Sequence, residues 1–405
     1  MSITHAFSTS RKQAGGCVMQ LLPNQESRTD SIFALSALQR SYGCRCNRAI
    51  FFRNSHCLHC DTPLGYEPEL GKVFALAAGP RVETWLLAGP HAPANHSKVY
   101  RRCANANSGG NCNWLVPDGQ LYCVSCRLNR MIPNPAIPEN ALLWGRIEDA
   151  KRRVVSVLVG LGLPLASKVW EDPQRGLAFD FLRSPAEGPR VLTGHENGVI
   201  TLNIEEADDV KREQVRTAMR EPYRTLVGHF RHEFGHYYWD RLVANTRWHP
   251  HFRGLFGDER ADYNAALKRN YERGPKAGWE RQHVSAYASV HPWEDWAETW
   301  AHYMHMVDTL GTALSFGLDP EAIALPFDYF GPESLCESMD PGSERFLAFL
   351  NSWLKLTAVM NELCRSMGQP DFYPFALPCA AVSKLHFIHL VVSEAARKQH
   401  GASEF

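Results

Sequence analysis

Cysteine spacing places the strongest constraint on how the first third of this chain can fold. Eight of the twelve cysteines lie between residues 44 and 126, in two groups that each contain a C-x-x-C pair. The groups are Cys44, Cys46, Cys57 and Cys60, and then Cys103, Cys112, Cys123 and Cys126. Each short pair can form a tight turn, and two such turns can hold four thiolates around one tetrahedral zinc ion. We therefore expect two structural zinc sites, grouped sequentially, although the spacing also permits a crossed grouping.

The apolar segments between the two cysteine groups are short and are separated by Gly-Pro turns, which is typical of β-strands. So little apolar material would not hold a domain together without metal. The sequence therefore predicts a β-rich zinc ribbon over residues 41–130. Residues 1–40 match no pattern and are expected to be a poorly ordered leader, and the prolines of 131–140 predict a linker. A second domain is then expected over 141–395, followed by a tail at 396–405.

The charge of the ribbon bears on its partners. Residues 1–150 contain 15 Lys and Arg against 10 Asp and Glu. Each zinc ion with four thiolates carries a net charge of about −2, so two sites reduce the positive excess to about +1. That is too little to bind phosphate, which argues against nucleic acid as a partner. A structural ribbon, or one that docks a protein partner, is the favoured interpretation.

The composition of the whole chain favours a cytoplasmic protein without a membrane partner. The formal net charge is zero, and no uninterrupted apolar run reaches the roughly 20 residues that span a bilayer. The first thirty residues also lack the apolar core of a secretory signal. Cysteines stay reduced in the cytoplasm, which agrees with zinc ligation rather than disulfide bonding.

The segment HFRHEFGHYYWD, residues 229–240, contains a pattern typical of zinc enzymes. His232 and His236 lie four residues apart, so a helix places both imidazoles on one face, where they can bind one zinc ion. Glu233 follows the first histidine, which is the position of a general base that deprotonates a zinc-activated water. Asp240, near the end of the segment, is expected either to brace a ligand histidine or to be a solvated carboxylate.

A catalytic zinc site needs a third protein ligand, and WEDWAETWAHY, within a helix expected to start near Pro292, offers one. Glu294 and Glu298 lie four residues apart, so one carboxylate can bind zinc while the other holds a ligand histidine through its free ring N–H. The spacing leaves Glu298, His229 and His302 open as alternatives to Glu294 for the ligand itself.

HEFGH followed by YAxxxxxExxAE resembles the catalytic centre of anthrax lethal factor and of other zinc peptidases with a glutamate as third ligand. This resemblance implies that Glu294 is the ligand and that Glu298 supports the site from behind. It also implies that Tyr287 stabilises the oxyanion. A core tyrosine at this position remains an alternative, with His283 as a substitute donor.

The chain from about Cys44 to His389 resembles bacterial zinc-binding metallopeptidases that carry an N-terminal zinc-ribbon domain. The matching stretches include CNWLVP, VLTGHENGVITLNIEEADD, FGDERADY and WEDWAETWAHY. The resemblance implies an α+β fold, with a small β-rich ribbon followed by a mainly helical zincin-like domain that has a small sheet. It also implies one catalytic and two structural zinc ions, with Glu233 as general base in the hydrolysis of peptide bonds of a peptide or protein substrate.

The sequence leaves three further alternatives open. The rival function is a non-proteolytic binding protein that uses the ribbon to contact a partner or nucleic acid. The strand ITLNI, residues 200–204, is a candidate edge strand that pairs with an extended peptide. The charged residues of FGDERADY, residues 256–263, form either an internal salt-bridge network or an exposed helix start.

Overall fold

The computed structural model describes residues 38–402, except for residues 95, 186, 220 and 327. Most of the expected leader, at 1–37, and the end of the expected tail, at 403–405, lie outside the described residues. The last residues of that leader are described and are part of the fold. Leu38 and Arg40 are buried, with 0% and 2% of their surface exposed.

The N-terminal part is β-rich, as expected. A hairpin of β1 and β2 precedes a five-stranded antiparallel sheet in which β3 to β7 follow one another in chain order. The strands are β1 Ser41–Gly43, β2 Ala49–Phe51, β3 Leu64–Glu67, β4 Lys72–Ala78, β5 Trp85–Ala88, β6 Tyr100–Arg102 and β7 Leu115–Pro117. The cysteines lie in the turns beside these strands, so the sheet fixes where the thiolates meet.

The C-terminal part is mainly helical and has a small mixed sheet in the order β10-β11-β9-β8. Its strands are β8 Asn129–Met131, β9 Ala178–Leu182, β10 Gly194–Glu196 and β11 Val199–Asn203. Its helices are α1 Pro138–Gly160, α2 Asp209–Met219, α3 Leu226–Tyr238, α4 His249–Phe256, α5 Tyr263–Arg273, α6 Pro292–Ser315, α7 Ser343–Ser366 and α8 Cys379–Ala402. The predicted α+β fold class is confirmed.

The two parts are joined by more than a linker. Strand β8 begins three residues after Cys126, the last cysteine of the ribbon, yet it pairs with β9 in the sheet of the helical part. Because β8 ends at Met131 and α1 begins at Pro138, only residues 132–137 of the expected linker lie outside strand and helix. Gly145 on α1 packs so closely on the ribbon that a Cβ there would lie 2.6 Å from the carbonyl oxygen of Gly109.

Helix α8 contains a segment, Cys379–Gln399, that is long and apolar enough to cross a membrane by length and composition. Within the fold, 61% of its most apolar window is buried. Its buried residues Leu385, Ile388 and Val391 belong to the main hydrophobic core. A core helix satisfies the same length and composition criteria, and this burial supports that interpretation.

A buried carboxylate on α6 ties four segments of the chain together. Asp308 lies 2.6–3.2 Å from the guanidinium groups of Arg40, Arg153 and Arg231, which come from the segment before β1, from α1 and from α3. Burial alone would raise the pKa of Asp308, but the three guanidinium groups outweigh burial and lower it. The carboxylate therefore stays ionised and anchors the start of the ribbon to the helical part.

We expect Asp308→Asn to lower the free energy of unfolding by about 3–5 kcal/mol, because it leaves buried guanidinium groups without their counter-charge. The folded-state pKa is depressed, so this contribution is present above the ordinary carboxyl pKa of about 4 and is lost as the pH falls below it. Urea denaturation at pH 7 measures the difference. Asp371→Asn, which breaks a surface pair with Arg365, should cost at most about 1 kcal/mol. Equal losses in the two variants would show that the buried cluster contributes no more than a surface pair.

Candidate active site

Helix α3 presents the two histidines because its opposite face is fixed in the core. Thr225 caps the helix by accepting a hydrogen bond from the backbone N–H of Gly228 at 3.0 Å. Phe230 and Phe234 are fully buried and pack edge-on against Phe179 of β9, each with ring centroids 5.6 Å apart. The histidines are therefore left facing α6.

Helix α6 supplies the third group. His291 caps this helix by accepting a hydrogen bond from the backbone N–H of Trp293, and Glu294 lies in the first turn. Glu294 Oε2 lies 3.0 Å from His232 Nε2 and 3.6 Å from His236 Nε2, and the two Nε2 atoms are 3.2 Å apart. Three ligands bound to one tetrahedral zinc ion at 2.0–2.1 Å would be about 3.3 Å apart, so the three atoms fit a zinc ion.

Two buried carboxylate oxygens also indicate that a cation belongs at this site. Glu294 Oε2 and Glu233 Oε2 are inaccessible to solvent and have no hydrogen-bond partner among the described residues. An ionised carboxylate buried in this way is costly unless a cation or a proton donor completes it. Burial opposes ionisation of Glu294, but His236 and His232 outweigh it and lower the pKa of this carboxyl. Burial raises the pKa of Glu233.

Glu298 lies behind the first histidine, where the sequence predicted it. Its Oε1 atom accepts a hydrogen bond from His232 Nδ1 at 2.7 Å, and its Oε2 atom accepts one from the hydroxyl of Ser285 at 2.6 Å. A hydrogen bond from Nδ1 favours the tautomer in which Nε2 can bind a metal. Asp240 is exposed, and His236 Nδ1 has no hydrogen-bond partner within the described chain, so the structure does not bring Asp240 to a ligand histidine.

The alternative ligands lie outside this convergent group. His229 is 2.5 Å from Glu206, and His302 is hydrogen-bonded to the hydroxyl of Tyr373. His283, the substitute oxyanion donor, lies 3.0 Å from Asp295. Among the described residues, the His-His-Glu group that can hold a metal ion comprises His232, His236 and Glu294.

Tyr287 lies at the edge of the site. Its ring centroid is 6.1 Å from that of His232, and its side chain is half-buried. Burial and the nearby Glu294 carboxylate raise the pKa of Tyr287, so its hydroxyl stays protonated and can donate a hydrogen bond.

Besides Ser285, three further residues adjoin the site and are given no role there by the sequence analysis. Tyr263 donates a hydrogen bond to Glu294 Oε1 at 2.6 Å. Trp293 packs on His236 with ring centroids 3.9 Å apart. His195, on β10, has its ring 6.4 Å from that of His236, and burial lowers its pKa to about 3. All three lie in stretches that the family resemblance covers, but none stands at a spacing that marks metal chemistry.

The eight ribbon cysteines form two clusters in the sequential grouping. Sulfur–sulfur distances are 3.7 Å for Cys44 and Cys60, 3.8 Å for Cys46 and Cys57, and 3.7 Å for Cys112 and Cys123. A tetrahedral zinc site with bonds of about 2.3 Å requires about 3.8 Å between its sulfurs. Both clusters therefore suit zinc.

Comparison with known proteins agrees with this arrangement. Residues 140–391 match the family described as "putative zinc-binding metallo-peptidase". The chain belongs to this family. Residues 41–137 match a zinc-ribbon domain. Uncharacterized proteins of Mycobacterium bovis and of two Mycobacterium tuberculosis strains are each 42% identical to this metallopeptidase-family chain over 361 residues, which covers 88% of the chain and 96% of each relative. No solved structure matches it.

The second cysteine cluster of this metallopeptidase-family chain is built against helix α1. Its four cysteines are 1–3% exposed, and Cys126 Sγ lies 3.9 Å from Glu148 Oε2. Arg152 donates to the carbonyl of Gly110, in the loop before Cys112. Burial alone would lower the pKa of Arg152, but Cys112 and Glu148 outweigh it and raise that pKa. The charge of the cluster is thus compensated from the helical part.

We expect the purified protein to contain three zinc ions per chain and His236→Ala to contain two, because two remaining ligands bind zinc weakly. Inductively coupled plasma mass spectrometry measures the content. His251→Ala, at an exposed position on α4, should keep three ions. A content of two in the unaltered protein, unchanged by His236→Ala, would show that the His-His-Glu group binds no zinc.

We expect Cys112→Ser to lower the melting temperature of the whole chain more than Cys57→Ser does. The first cluster includes the half-buried Cys46 and Cys60. The second cluster is fully buried, and its loss removes the thiolate charge that offsets part of the charge of the buried Arg152 on α1, a change that costs several kcal/mol. Differential scanning calorimetry of both variants measures this. An equal or smaller effect of Cys112→Ser would show that the second cluster is independent of α1.

Proposed function

We propose that this protein is a zinc-dependent metallopeptidase that hydrolyses peptide bonds. The observation that carries the proposal is the convergence of His232 Nε2, His236 Nε2 and Glu294 Oε2 at 3.0–3.6 Å. Glu233, on the same helix, keeps a buried carboxylate oxygen without a partner in the described structure. A metal site of three protein ligands beside a free carboxylate is what hydrolysis by an activated water requires.

Each residue of the site has a defined task in this proposal. Bound zinc supplies Lewis-acid chemistry, which acidifies a water molecule and polarises the scissile carbonyl. His232, His236 and Glu294 hold the metal, and Glu298 fixes the tautomer and orientation of His232 through its 2.7 Å hydrogen bond.

Glu233 acts as the general base. Its carboxylate takes a proton from the attacking water and then passes that proton to the leaving amine. Burial raises the pKa of Glu233, and a base whose pKa lies closer to neutral pH accepts a proton more readily than an ordinary carboxylate. The same burial excludes solvent from the proton transfer.

Tyr287 is the proposed donor to the carbonyl oxygen as negative charge develops there, by analogy with lethal factor-type sites. Its half-buried hydroxyl stays protonated because burial and Glu294 raise its pKa. A fixed donor of this kind stabilises the transition state more than the ground state.

The proposed substrate is an extended segment of a peptide or protein. The strand ITLNI, expected to be an edge strand, corresponds mainly to β11, which lies between β10 and β9. That expectation was therefore wrong, since both edges of β11 are occupied. β10 is one of the two edge strands of this sheet, and its His195 lies beside His236. An extended chain that pairs with the outer edge of β10 would pass the metal site.

We also propose that the ribbon binds a protein partner. Leu58, inside the first C-x-x-C turn, is 84% exposed, and Leu121, two residues before Cys123, is 72% exposed. Apolar side chains at the tips of metal-stabilised turns suit a protein surface better than phosphate. We also propose a cytoplasmic location, because eleven described cysteines are free and most of them cluster as metal ligands.

A non-proteolytic binding protein is the rival function. A scaffold of that kind has no physical need for Glu233, whose buried carboxylate has an oxygen without a partner and therefore destabilises the fold. The retained carboxylate favours catalysis over a scaffold.

We expect Glu233→Gln to keep all its zinc and to lower the hydrolysis rate by about 10²–10⁴-fold, because the amide cannot accept the water proton. Mass spectrometry of new protein N-termini in a lysate treated with the unaltered protein or with this variant measures the difference. Glu272→Gln, at an exposed position on α5, is the matched control and should act like the unaltered protein. Identical sets of N-termini in all three samples, with zinc content equal, would contradict the peptidase function.

A further inference from the structure

The charged segment FGDERADY, residues 256–263, connects α4 to α5 and contacts Glu294 of the candidate metal site. Glu259 lies 3.0 Å from His249 and pairs with Arg253. Asp262 caps α5 by accepting a hydrogen bond from the backbone N–H of Ala265 at 2.9 Å. The segment is therefore both a salt-bridge cluster and a helix start. Its last residue, Tyr263, is the first residue of α5.

A histidine locks this segment to the start of α6. His291 Nδ1 accepts a hydrogen bond from the backbone N–H of Trp293, so its proton is on Nε2. That Nε2 donates to the carbonyl of Ala261 at 3.0 Å. The ring of Tyr263 lies edge-on to those of His291 and Trp293, with centroids 5.4 Å and 6.1 Å away. The position of Tyr263 relative to the first turn of α6 is thus fixed by several contacts.

The two oxygens of Glu294 have separate partners. Oε1 accepts a hydrogen bond from the hydroxyl of Tyr263 at 2.6 Å. Oε2 has no hydrogen-bond partner in the described structure and is the oxygen that lies 3.0 Å from His232 Nε2. Only one oxygen of this carboxylate is therefore directed at the metal position.

We propose that Tyr263 is a positioning residue that keeps Glu294 bound to the metal through a single oxygen. This inference rests on the proposed metallopeptidase function. Tyr263 thereby gives the FGDERADY segment a role at the site that motif spacing alone does not predict.

A carboxylate can bind a metal through one oxygen or through both. Binding through both would raise the coordination number and fill the position that a catalytic zinc ion keeps open for water. A hydrogen bond to the second oxygen opposes this, because that oxygen must give up its donor in order to turn towards the metal. Outer contacts of this kind typically change metal affinity by about 10–100-fold.

Tyr263→Phe removes the hydroxyl and keeps the ring. We expect zinc affinity of the His-His-Glu site to fall by about 10–100-fold, measured by competition with a chromophoric chelator. After selective replacement of this zinc by cobalt, we expect the visible absorption to weaken, as it does when four-coordinate cobalt becomes five-coordinate. The zinc ions of the two cysteine clusters serve as the internal standard for an intact fold.

Two further variants separate the hydroxyl from the ring. Tyr329→Phe removes a hydroxyl that is bonded to the carbonyl of Leu325, on a residue 42% exposed, and it should change neither measurement. Tyr263→Gln keeps a hydrogen-bond donor without the ring, so it should retain more affinity than Tyr263→Phe. A loss in Tyr263→Gln without a loss in Tyr263→Phe would assign the effect to ring packing and would overturn the proposal.

The outcomes also distinguish this inference from the function on which it rests. If the unaltered protein binds zinc at the His-His-Glu site and Tyr263→Phe changes neither affinity nor the cobalt spectrum, the positioning role is wrong and the peptidase proposal stands. If the unaltered protein binds no zinc at this site, the proposed function itself fails. Both readouts are independent of any peptide substrate.

Discussion

The close packing of α3 on α6 is the constraint on which the site depends. A Cβ at Gly235 would lie 2.9 Å from the Cα of Ala297, so no other residue at this position allows the helices to approach so closely. The indole of Trp296 donates to the carbonyl of Gly235 at 2.8 Å and holds the two helices in register. Because Gly235 lies between His232 and His236, and Ala297 lies between the two glutamates, the contact that joins the helices also brings the candidate metal ligands together.

The ribbon depends on the same framework and is not a separate attachment. Its last turn leads directly into β8, which pairs with β9, and Phe179 of β9 packs against the core face of α3. The start of the ribbon is held by Arg40, whose guanidinium shares Asp308 with Arg231, the residue before His232. Metal binding in the ribbon and the placement of helix α3 are therefore expected to be energetically coupled.

Local spacing predicted the chemistry, whereas the supporting contacts are long-range. The cysteine pairs and HEFGH are short motifs with fixed spacing, and that spacing matches the ligand geometry of a zinc ion. The Asn-Gly turn at 197–198 signals a hairpin, yet the position of β11 inside the sheet depends on its parallel pairing with β9, about twenty residues earlier. Tyr263 lies 31 residues before Glu294, so no spacing rule connects them. The bounds of the linker are long-range in the same sense, because prolines mark a chain break but not the strand β8 that precedes it.

Three carboxyl groups within one buried site are given different properties by their neighbours. Burial raises the pKa of all three, but Glu294 and Glu298 each face histidine nitrogens that outweigh it and lower the pKa. Glu233 has no such hydrogen bond at its free oxygen, and burial keeps its pKa raised. A ligand and its support need a permanent charge, while a base needs to gain and lose a proton. The environments therefore suit Glu294 and Glu298 to the proposed metal binding and Glu233 to the proposed proton transfer, a difference that residue type alone does not predict.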